Sequence, residues 1–103
     1  MVLSTAPDAD QARRIASVLV EERLAACVNV IPGLTSVYRW QGTVQQDAES
    51  LMLIKTTRSG YQRLEHRLRS LHPYELPEII AVPITDGQAD YLTWITENVH
   101  SII

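Results

Sequence analysis

Two hydrophobic periods alternate along this chain, and the points where one gives way to the other mark its elements. Met1 to Thr5 is a short, mostly apolar run that predicts a buried strand, stopped by Pro7 and Asp8. Asp8 can cap a helix, and Gln11 three residues later completes a capping-box pattern. Ala12, Ile15, Ala16 and Leu19 then recur at helical spacing, so one helix face turns inward. From Cys27 to Trp40 the residues are β-formers, among them Val28, Val30, Ile31, Val37 and Tyr38, with Pro32-Gly33 predicting a bulge or bend. Gln41-Gly42 signals a turn, and a second extended run from Thr43 to Thr57 completes a long β-hairpin.

The helical period returns at Tyr61, Leu64, Leu68 and Leu71, with Ser59 as the expected cap and Gln62 three residues on. Pro73 ends that helix by excluding helical backbone at the residue before it. Two prolines, Pro73 and Pro77, hold the next stretch extended, and Ile79 to Ile84 predicts a strand that Pro83 places near an edge. After the Asp86-Gly87 turn, Leu92, Ile95 and Val99 give a last helix its inward side. The order β-α-β-β-α-β-α predicts an α+β, ferredoxin-like domain spanning residues 1–103, with a four-stranded antiparallel sheet and an extra C-terminal helix.

The hairpin between the second and third strands is too long for such a domain. Fourteen residues from Cys27 to Trp40 span roughly 45 Å at about 3.3 Å each. A domain of this size has a radius of gyration near ~13 Å, so the hairpin must bend or project. A projecting edge invites pairing, and a symmetric oligomer is one way of covering it.

Composition narrows the function classes. The formal charge of -3 disfavours a nucleic-acid binder, which needs cationic surface. RNA-recognition domains share this element order, but the chain has no Phe and nothing like their aromatic signature. No stretch reaches the roughly 20 apolar residues of a membrane span. The start, MVLSTAPDAD, lacks a basic region followed by a long apolar run, and Cys27 is the single cysteine, so a cytoplasmic, reducing location is expected. No nucleophile elbow, HExxH, phosphate loop or paired-carboxylate pattern occurs, so the expectation is a non-enzyme that requires no cofactor.

The segments AACVNVIPGLTSVYRWQG, LIKT, LHPYELPEIIAVPI and DYLTWI occur in that order. From about Leu3 to Val99 the chain thereby resembles the CutA divalent-cation-tolerance family. The resemblance implies a ferredoxin-like subunit in a homotrimer, joined by its hairpins and similar in architecture to the PII signalling proteins. It also implies a role in the response to divalent ions, copper among them, with no established enzymatic activity. The copper-binding bacterial pattern has a cysteine in the first strand and paired histidines before Pro-Tyr. Here Ser4 and Leu71 stand at those positions, leaving only His72.

His72 and Glu75 are accordingly the candidate ligands for copper or another divalent cation, and two such groups make a weak site that favours Cu(II) over Cu(I). A plain helix-ending histidine is the alternative for His72. Cys27 fits a small core residue, while His66 and His100 have no ligand-like spacing to other residues. Tyr38, Trp40 and Tyr74 are candidate interface aromatics; Trp40 at the hairpin tip would be exposed in a lone subunit. Lys55 and Glu78 are candidates for a cleft between subunits. A PII-like sensor that binds a small ligand in that cleft is the rival function, resting on fold analogy.

Overall fold

A computed structural model describes residues 1–100 of the chain. The elements are β1 (Val2–Ala6), α1 (Ala9–Glu21), β2 (Cys27–Trp40), β3 (Thr43–Lys55), α2 (Tyr61–Leu71), β4 (Ile80–Ala81) and α3 (Ala89–Glu97). They form one antiparallel sheet in the order β2-β3-β1-β4. This is the expected ferredoxin-like arrangement, with α3 as the addition.

One face of the sheet makes the core. Val2 and Ala6 of β1 and Met52 and Ile54 of β3 pack against Ala12, Ile15 and Leu19 of α1 and Leu64 and Leu68 of α2. The expected stripe of α1 is thus buried, while in that of α2 Leu64 and Leu68 are buried and Tyr61 and Leu71 at its ends are partly so. Asp8 caps α1, accepting from the Gln11 backbone N–H at 2.8 Å, while Gln11 Nε2 donates to its other oxygen at 3.1 Å. Those bonds hold the Asp8 carboxyl below its usual range. The cap of α2 differs from expectation. Gly60, not Ser59, occupies the N-cap with no side-chain bond, because the Thr57 hydroxyl accepts the Gly60 N–H and turns the chain one residue later. α3 seals a second, smaller cluster of Ala26, Ile95 and Val99.

The hairpin sets the 44 Å long axis of a molecule only 26 by 24 Å across. Its turn has positive φ at both Gln41 (50°) and Gly42 (81°), the twist that a two-residue hairpin loop requires. At Pro32-Gly33 the register slips: Ile31 faces Leu51, but Leu34 faces Glu49. One extra residue on β2 reverses which side chains share a face. Beyond this bulge Leu34, Ser36, Tyr38 and Trp40 lie over Glu49, Asp47, Gln45 and Thr43.

β4 is shorter than the expected Ile79–Ile84 strand. Only Ile80 and Ala81 pair with β1, although the Val82 N–H still donates to the Met1 carbonyl at 2.8 Å. Past that point Pro83 has no N–H to give.

Candidate functional site: a groove under the hairpin

The second sheet face carries a row of apolar side chains without a helix layer equivalent to α1 and α2. Cross-strand pairing places Ile80, Leu3, Leu53 and Asn29 side by side across all four strands. The next row holds Thr5, Leu51 and Ile31. Ile31 and Ile80 are about half exposed, at 44% and 50%. Toward the hairpin tip this face continues into Tyr38 and Trp40, which expose 42% and 38%.

The segment after α2 closes the other side of a groove. His72 ends α2 and is buried, and its ring is committed at both nitrogens. Nε2 lies 2.7 Å from the Thr5 carbonyl oxygen, and Nδ1 accepts the Tyr74 backbone N–H at 3.1 Å. A carbonyl can only accept and an amide N–H only donate, so these partners fix the Nε2-protonated tautomer. The His72 and Tyr74 rings pack with centroids 4.9 Å apart. This contact aims the Tyr74 hydroxyl across to β3, where it donates to Glu49 Oε2 at 2.7 Å. Burial, followed by this bond to Glu49, pushes the Tyr74 hydroxyl well above the usual tyrosine range. Tyr38 makes the matching contact on β2, its hydroxyl donating to Asp47, and that bond raises its pKa too.

The result is a groove of about 630 Å³ walled by Tyr38, Trp40 and Tyr74 and lined by Glu49, Glu75 and Glu78. It brings the three candidate interface aromatics together with Glu75 and Glu78, whereas Lys55 does not line it. Lys55 sits opposite Cys27, with Nζ donating to Asn29 Oδ1 and 4.0 Å from Cys27 Sγ. Within one chain, then, Lys55 has Asn29 as its partner in place of Glu75 or Glu78.

The ligand candidates do not converge either. Among the described residues there is no group of three His, Cys, Asp or Glu side chains placed to hold a metal. Both His72 nitrogens are taken, Glu75 is exposed, and Cys27 is partly buried at the start of β2, opposite Lys55. Ser4 is fully buried, and its hydroxyl has no hydrogen-bond partner among the described residues. These residues do not fit a tight metal site within one chain. Glu49, only 8% exposed, was not a sequence candidate. Its signal was present in the alternation Asp47, Glu49, Leu51, Leu53, Lys55, which puts a carboxylate on the same face as two leucines.

An α+β sandwich of this topology, with its long hairpin and a bare apolar sheet face, defines a ferredoxin-like subunit of the PII-like kind. The profile of the CutA1 divalent ion tolerance protein family matches residues 1–98, and the chain belongs to that family. The divalent-cation tolerance protein CutA of Thermus thermophilus is 56% identical over 95% of each chain. A solved structure of the protein from that organism superposes with a TM-score of 0.94, covering 96% of both chains. A structure described as the PII-like protein CutA from Nostoc, in apo form, superposes at 0.89 with 36% identity, over 96% of this chain and 95% of that one. The protein from Archaeoglobus fulgidus, described as periplasmic, reaches 0.92 with 36% identity and covers 96% of both. The chain spans about half the length of the plant and mammalian relatives it matches. Among the described residues no helix is long and apolar enough to cross a membrane.

Proposed function

We propose that this CutA-family protein acts as a homotrimeric, non-enzymatic component of the cellular response to divalent cations. The observation that carries the assembly is the bare apolar sheet face, bordered by two unlike edges. β2 is a fourteen-residue edge strand, and β4 is a two-residue edge followed by the exposed Val82 and Ile84. Unlike edges join head to tail, and such contacts close into a ring when the rotation allows. Three subunits is the number that the family resemblance supplies. In such a ring the hairpin of one copy covers the β4 edge of the next, and Tyr38, Trp40 and Tyr74 fall at the boundary. Lys55 of one copy is then free to approach Glu78 of another.

Metal enters this reading weakly. Cu(II) taken up through His72, with Glu75 as a second ligand, has to displace the Tyr74 N–H from Nδ1, which limits its affinity. The cytoplasmic reading rests on the single cysteine.

The rival reading is a PII-like sensor of a small ligand, favoured by the groove between the hairpin and residues 74–78. Hydrogen exchange tests the assembly: amides of the outer part of β2 and of Ile84 are protected in concentrated protein and lose protection on dilution. A thermal-shift screen with nucleotides and metals separates the two functions. Stabilisation by a nucleotide and not by any cation favours the sensor.

A further inference from the structure

The groove contains a buried carboxylate that no cation among the described residues neutralises. Glu49 is more than nine-tenths buried, yet its carboxylate receives one hydrogen bond, from Tyr74, and Oε1 receives none among the described residues. The ion pairs formed among the described residues are Arg13–Asp10 and Arg67–Glu22, both remote from it. A carboxylate drawn out of water ordinarily has a counter-charge, because desolvation is otherwise uncompensated. Two further carboxylates, Glu75 and Glu78, line the same groove against a single cation, Arg39, whose Nη1 turns instead to the Gly42 carbonyl at 3.4 Å. The walls are aromatic. The Tyr38 and Tyr74 hydroxyls each donate to a carboxylate, which enriches the rings in electron density. Electron-rich ring faces attract organic cations.

We propose that this groove binds an organic cation, an alkylammonium or guanidinium group whose charged head meets Glu49 and whose apolar stem lies against Trp40 and Tyr74. An inorganic divalent ion fits it less well, because the walls offer rings where such an ion needs several oxygens. All lining residues of the groove come from one chain, but in the proposed trimer Tyr38, Trp40 and Tyr74 fall at a subunit boundary, so a cation supplied by a second copy rests on that reading whereas a free cation does not. The cation has two sources, a free polyamine or a Lys or Arg side chain of a second copy.

The experiment titrates the assembled protein with spermidine and, in parallel, with sodium chloride at matched ionic strength. It follows Trp40 fluorescence in a Trp94→Phe background. A free ligand gives a saturable change that sodium does not reproduce and that weakens at least tenfold in Glu49→Gln. A second copy's side chain gives no spermidine response, but Glu49→Gln then weakens assembly at least tenfold, and high salt does the same to the wild type. Should Glu49→Gln fail to fold, the exposed Glu75→Gln/Glu78→Gln pair must weaken the same readout several-fold. Assembly unchanged by these variants together with no saturable spermidine response overturns the proposal. So does a response that survives all of them.

Discussion

His72 Nε2 lies 2.7 Å from the Thr5 carbonyl, so the end of α2 is fastened to the end of β1 by one imidazole. The same ring accepts the Tyr74 N–H, and Tyr74 in turn reaches Glu49. Four residues from three elements thus form a single hydrogen-bonded chain that shapes one wall of the groove.

Breaking that chain at its start has a defined cost. His72→Ala leaves the Thr5 carbonyl and the Tyr74 N–H without partners and is expected to destabilise the fold by about 1–3 kcal/mol. Calorimetric Cu(II) titration of the same variant is expected to show the already weak binding of the wild type largely gone. A nanomolar copper site that persists in His72→Ala would place the ligands elsewhere.

Ser4 offers the opposite experiment. Its hydroxyl is fully buried and unpartnered among the described residues, so removing the group removes a desolvated dipole. Ser4→Ala is expected to stabilise the protein by about 1 kcal/mol in chemical denaturation. A clear loss of stability would mean that the hydroxyl has a partner in the assembled protein.

Tyr74 links stability to alkaline pH. Its folded pKa is raised, first by burial and then by Glu49. A group raised on folding contributes stability that is fully present below its unfolded value, about 10 for tyrosine, and is lost as pH climbs toward the folded value. Wild-type protein is therefore expected to lose stability above about pH 10 more steeply than Tyr74→Phe. Parallel alkaline denaturation profiles for the two would remove Tyr74 from the explanation.

Much of this architecture was legible in the sequence because it depends on local signals. Asp8 and Gln11 gave the start of α1, and the spacing of Leu64 and Leu68 gave the inner face of α2. Pro32-Gly33 gave the position of the bulge. What the bulge does was not legible: a one-residue slip decides whether Tyr38 and Trp40 share a face with Glu49, and Pro-Gly does not state the size of the slip. Ser59 looked like a cap because its spacing to Gln62 was right, but the Thr57 hydroxyl competes for the same backbone. Glu49 and the Asn29 partner of Lys55 depend on cross-strand register, and no single strand's sequence contains that.

Trp40 tests the hairpin's part in assembly. It keeps 38% of its surface exposed in one chain, and large aromatics at the centre of an interface dominate its energetics. Trp40→Ala is expected to weaken subunit association by more than about 2 kcal/mol per contact, read from sedimentation across a dilution series. Association and melting identical to wild type would remove Trp40 from the interface.

The central claim is that the bare sheet face and the projecting hairpin are covered by two further copies of the chain. Native mass spectrometry at micromolar concentration measures this directly. The expected species has three times the 11.6 kDa mass of one chain. A spectrum dominated by the 11.6 kDa monomer would contradict it.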